Sequence, residues 1–175
     1  MSAVKKLYHA MDRVSVAAGK VFILLSAALV VACCAILIFQ VFNRFILIHF
    51  VALSLPFTEE LARILLIWSV YLCLGICLKE GAQASVTLVY DRLSPKPKFA
   101  LYCIVRLMML FFLVVAICYG LEFVQDTWNY KTANLRAPGW MLYTAPVLGC
   151  ILMLYEMITE WLGVWCGELE PFSGC

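Results

Sequence analysis

Residues 21–43, VFILLSAALVVACCAILIFQVFN, contain no charged side chain. At a rise of 1.5 Å per residue such a run spans about 34 Å as an α-helix, enough to cross a hydrocarbon core of roughly 30 Å. A secretory signal has an apolar region of only about 7 to 15 residues and ends at small residues. This run is longer and ends in Phe39, Gln40, Val41 and Phe42, so it reads as a retained membrane helix.

The whole chain agrees with that reading. Its 175 residues are 65% hydrophobic and 14% charged, with a mean hydropathy of +0.97, more apolar than one soluble core can hide. The fold class expected is all-α integral membrane, a single membrane domain of four transmembrane helices with short interfacial amphipathic helices. Upstream of the first span, residues 3–18 place Val4, Leu7, Met11, Val14 and Ala18 at helical spacing, a pattern that suits a short helix lying among lipid headgroups. Downstream, the apolar residues of 44–55 predict a connection that dips into the interface.

The second span is set by a length argument. Between Arg63 and Lys79 lie only 15 uncharged residues, about 22 Å, which is too short for the core. The helix must therefore start near Pro56 and span about 56–78. Pro56 is tolerated in a first turn, and Glu59 and Glu60 suit the positive end of the helix dipole. Both carboxylates stand one turn before Arg63, so an ion pair is expected at the membrane edge, where it is worth only a few tenths of a kcal/mol. Its expected use is placement against a partner.

Residues 79–98 form a polar loop in which Val86, Val89, Tyr90 and Leu93 share a helical face before Pro95 and Pro97. The third span, about 99–121, is uncharged except for Arg106. That arginine either snorkels to the near interface or pairs with an acid on another helix, and Glu156 of the fourth span is the expected partner. The fourth span, about 137–160, opens with Trp140 and Tyr143 at belt positions and carries Pro146 as a kink.

Lys5, Lys6, Arg13, Lys20, Lys79, Arg92, Lys96 and Lys98 fall on one side of this layout, against Arg44, Arg63, Lys131 and Arg136 on the other. The positive-inside rule then places both termini and the 79–98 loop in the cytoplasm. The same residues exclude several functions. Neither G-x-x-x-x-G-K-[ST] nor G-x-G-x-x-G occurs, and +2 of net charge in scattered clusters offers nucleic acid no patch. Both histidines, His9 and His49, lie outside the spans, so the chain lacks mid-depth haem ligands. No carboxylate sits in the first span, as a small proton-coupled exporter needs, and no repeat or broken helix marks a self-contained carrier. Seven of the nine cysteines, Cys33, Cys34, Cys73, Cys77, Cys103, Cys118 and Cys150, stand in apolar runs and read as small hydrophobes. No cofactor, catalytic or metal site is expected, which leaves an accessory subunit of a larger complex.

In this light F-T-E-E-L-A-R-x-L-L-I-W at 57–68 resembles a run of the small membrane subunit, Q type or DctQ-like, of tripartite ATP-independent periplasmic (TRAP) transporters. Glu59, Glu60, Arg63 and Trp68 match that run residue by residue. Asp91, Arg92, Leu93 and Pro95 resemble the family's following loop, and Pro138, Trp140, Tyr143, Pro146 and Gly149 its last-span opening. Gln83 and Thr87 stand where many members carry a histidine and an aspartate.

The resemblance implies a bacterial inner-membrane subunit that packs on the scaffold of a large TRAP membrane subunit. A periplasmic substrate-binding protein delivers an organic acid, and a sodium gradient drives it through that large subunit. Substrate and sodium sites would lie there, not here. For this chain the candidate partner-contact or structural residues are Glu59, Glu60, Arg63, Trp68, Arg106, Trp140, Tyr143 and Glu156, with membrane lipids as further partners. A structural or assembly factor for an unrelated membrane complex, or a small independent carrier, are the alternatives.

Overall fold

The computed structural model describes residues 2–45, 57–80 and 95–169. Among them are four helices long and apolar enough to cross a membrane: α1 (Ser2–Phe45), α2 (Phe57–Lys79), α3 (Pro95–Asp126) and α4 (Trp140–Cys166). The chain is all-helical, as its hydropathy requires. The second helix is described from Phe57; the length argument puts its start near Pro56. The expected surface helix within 79–98 and the interfacial connection over 44–55 lie largely outside the described residues.

α1 differs from expectation. Residues 3–18 are not a separate element but the first turns of one 44-residue helix, about 66 Å long. The reason is tertiary. Tyr8 is buried against Gly163 of α4, and Lys5 Nζ donates to Glu168 Oε1 at 2.7 Å, so the N-terminal turns are held along the bundle rather than released to the interface. The Lys5 hydrogen bond and charge also keep the Glu168 carboxyl below its usual range. α3 and α4 likewise outrun their expected spans, reaching Asp126 and Cys166. α4 stops where Gly167, at φ 71°, turns left-handed and the Glu168 and Leu169 amides return to the Gly163 carbonyl.

α4 is the hub, touching all three other helices, while α2 lies between α1 and α4. Small residues set the distances. A Cβ on Gly149 would stand 2.8 Å from the Tyr71 carbonyl oxygen, and one on Gly75 would meet Leu152 and Glu156 at 3.4 Å. The two backbones therefore pack as closely as helices do where glycines replace bulk. On the other side of α2, Ser26 donates to the Ser69 carbonyl at 2.8 Å and Cys33 to the Ala62 carbonyl at 3.4 Å, while Gly19 faces Ile76. These contacts share one antiparallel register, in which Phe57 falls opposite Ile38. Leu78, Leu113 and Met157 form a buried apolar cluster where α2, α3 and α4 meet. Above it α2 and α3 part, leaving an apolar groove of about 450 Å³ lined by Tyr71, Phe112, Ala116 and Pro146 among others.

Replacing Gly149 by alanine should lower stability by about 1 to 3 kcal/mol, because the methyl group meets backbone that cannot move aside. Gly120→Ala meets only a Val147 methyl, which can rotate, and alanine's better helix propensity offsets that contact. Thermal unfolding in detergent should separate the two, with Gly149→Ala the clearly less stable; equal midpoints would contradict the packing argument.

Candidate functional site

The polar residues gather at the two ends of the bundle. At the α2 N-terminus, Glu60 reaches across to the loop between α3 and α4. Its carboxylate accepts the backbone amides of Asn134 (3.1 Å) and Leu135 (2.8 Å) and the Asn134 side-chain amide (3.2 Å). The loop is a small built structure. Lys131 and Pro138 form a bridge, the Thr132 amide donates to the Ala137 carbonyl, and the Ala137 amide donates back to Thr132 Oγ1. Arg136 takes a left-handed φ of 52° at its turn, and Gly139 sits where a Cβ would be 2.8 Å from the Thr127 carbonyl. Sequence reasoning held Glu60 as a partner-contact or structural residue, and in the structure it binds the chain's own loop.

Its neighbours behave differently. Glu59 and Arg63 pair at 3.7 Å with side chains 67% and 64% exposed, so they remain open to a partner. Trp68 points inward enough for Nε1 to donate to the Met141 carbonyl at 2.7 Å. That carbonyl adjoins Leu142, which has no i+4 donor because Pro146 lacks an N–H. Trp140 stacks on Trp128 with centroids 6.0 Å apart, and Tyr143 meets Phe123 edge-on at 4.7 Å. These two aromatic residues thus fasten the loop and the end of α3 to α4.

At the opposite end a second network joins α1, α2 and α4. Lys79 Nζ donates to Asp12 Oδ1 and to Ser15 Oγ, each at 2.8 Å, and Ser15 in turn donates to the Glu156 carboxylate at 2.6 Å. The Tyr155 hydroxyl donates to the Met11 carbonyl at 3.1 Å. An otherwise apolar cavity of about 220 Å³ lies beside Glu156, between Phe22, Gly75 and Leu152. Sequence reasoning missed Asp12 and Ser15. The available signal was the seven-residue spacing of Tyr8, Ser15 and Phe22, followed by Ser26 and Cys33, a narrow stripe at coiled-coil intervals.

Arg106 does not pair with Glu156, contrary to expectation. Nη2 donates to both carboxylate oxygens of Glu160, one turn further along α4, with the two side chains only 4% and 19% exposed. The guanidinium also lies 5.5 Å from the Tyr102 ring centroid, within cation–π range. The correction has a simple cause. Helical side chains lean toward their own N-terminus, so Arg106 reaches toward the end where α3 begins. On the antiparallel α4 that direction means a higher residue number.

Removing one partner of such a pair leaves a buried charge, at a cost of about 3 to 5 kcal/mol. Glu160→Gln should therefore destabilise the bundle far more than Glu156→Gln, whose hydrogen-bond donor Ser15 is neutral. The double variant Arg106→Met, Glu160→Met should recover most of the loss. A thermal or denaturant double-mutant cycle checks this, and additive losses would rule out the pairing.

Comparison with known proteins places this geometry. Residues 33–167, from the middle of α1 through the end of α4, match the family described as "Tripartite ATP-independent periplasmic transporters, DctQ component". The "Isethionate TRAP transporter permease protein DctMQ" of Oleidesulfovibrio alaskensis is 25% identical over 145 residues, covering 79% of this chain and 23% of the relative. The chain thus spans about a quarter of that relative's length. No solved structure matches. With four apolar helices bound into one bundle and most of its length matched by the family, the chain belongs to the DctQ components, the small membrane subunits of TRAP transporters.

Proposed function

We propose that this subunit is the accessory scaffold of a sodium-coupled, binding-protein-dependent transporter of organic acids, carboxylates or sulfonates, and that it packs on the large transport subunit. The carrying observation is the bracing of the bundle at both ends. Glu60 fixes the loop, Arg106 is tied to Glu160, and Lys79, Asp12, Ser15 and Glu156 tie α1, α2 and α4 together. These side chains serve the chain's own rigidity, which suits a part that holds another part still. Isethionate, named for the relative, is a sulfonate, which supports the acid class. That relative's single-chain permease supports a large membrane partner.

In this reading both termini and the Lys79 end face the cytoplasm, on the strength of the basic residues there. The loop end then faces the periplasm. Its exposed Glu59, Arg63, Lys131, Arg136, Trp128 and Tyr130 form the surface available to a periplasmic binding protein.

Uptake of labelled acid into vesicles, with purified binding protein outside and an imposed sodium gradient, tests the proposal. Uptake should require this chain together with the large subunit. Unchanged transport from the large subunit alone, or without sodium, would refute the corresponding part. Glu60→Ala, which releases the loop, should reduce binding-protein-dependent uptake several-fold, whereas Glu59→Ala should leave it within about two-fold, as expected for a surface pair. Equal effects would deny the loop a role.

A further inference from the structure

α1 carries two stripes. The inner one, through Ser15, Ser26, Cys33 and Asn43, is buried. The outer one consists of Leu24, Val31, Ile38 and Phe45, seven residues apart and 74%, 68%, 69% and 69% exposed. Beside it runs a second exposed row at the same interval, Val21, Ala28, Ala35 and Phe42. Large residues at one heptad position, beside a row whose two middle members, Ala28 and Ala35, are small, give the knobs and holes of a helix–helix seam along that stretch.

The register with α2 says what covers this seam. Phe57 lies opposite Ile38, so the segment from Ile38 to Phe45 stands level with the opening of α2 and beyond it. Ile38, Val41, Phe42 and Phe45, at i, i+3, i+4 and i+7, expose one apolar face there. On α2 the exposed Glu59–Arg63 pair falls opposite about residues 32–36 of α1, nearer the bundle centre than this segment. A bilayer thick enough to bathe Phe42 and Phe45 in hydrocarbon would draw those charges in with them, which lipid resists. Protein is not bound by the level of the headgroups.

We infer that the outer stripe of α1 is the seam on which one transmembrane helix of the large membrane subunit packs, and that its Ile38–Phe45 end is covered by that subunit beyond the level where lipid can serve. The inference rests on the reading of this chain as the small half of a two-part permease. The relative carrying the homologous region within one longer permease chain is consistent with such permanent contact.

Photocrosslinking in the co-expressed two-subunit complex tests it. Benzoylphenylalanine introduced at Ile38 or Phe45 should give adducts with the large subunit at least about ten-fold more abundant than at Phe111 or Phe112, which are exposed on α3. Ala28→Leu with Ala35→Leu should cut recovery of the complex about ten-fold while the chain alone keeps its helical circular dichroism. If the complex purifies intact but the large subunit is captured only from α3, the seam is wrong. Adducts from Ile38 and Phe45 that hold only lipid or a second copy of this chain overturn it equally. Failure of the unsubstituted chain to co-purify with the large subunit would instead remove the underlying reading, and the seam with it.

Discussion

The distance between α2 and α4 governs this bundle. Gly149 lets the Tyr71 backbone come within contact of α4, and Gly75 returns the concession one turn away. With the two axes that close, their ends are brought into line. Trp68 meets the Met141 carbonyl, Glu60 meets the loop that leads into α4, and Glu156 meets Ser15 beside Lys79. None of those polar contacts would form if a larger side chain held the helices a further ångström or two apart. In hydrocarbon the hydrophobic effect does not press helices together, so close contact and internal polar bonds must do so.

The division of labour along the bundle follows. Near its centre, contacts are made by small and apolar groups, and the hydroxyl and thiol of Ser26 and Cys33 are spent on backbone carbonyls. Charged groups are confined to the ends, and the most deeply buried of them, Arg106, has a carboxylate beside it. α3 is attached along one side, to α4, and among the described residues a groove remains between it and α2.

Much of this was legible in the sequence, and what was not has a physical reason. Charge-free run lengths gave four helices, and the shortfall after Arg63 moved the expected start of α2 back to near Pro56; the described helix runs from Phe57. The amphipathic pattern of residues 3–18 was read as a helix, but its continuity with the first span depends on Tyr8 and Lys5 meeting α4, contacts with residues more than 150 positions away. For Arg106 the sequence left snorkelling and pairing open, with Glu156 as the partner proposed from depth; the lean of the side chain brings Glu160 to it instead. Glu60 was singled out from its place on the helix, and its true partners are backbone amides of a loop whose shape no periodicity encodes.

The Arg106–Glu160 contact also bears on the order in which the protein is made. A ribosome delivers α3 to the membrane before any of α4 exists, so Arg106 must first be accommodated by water and headgroups at the near surface. The carboxylate arrives 54 residues later, on α4. Until then the third helix has neither its counter-charge nor the helix against which it packs among the described residues. The arrival of Glu160 therefore seats two helices at once, and without it the third helix is a membrane segment marked by its exposed cation as unfinished.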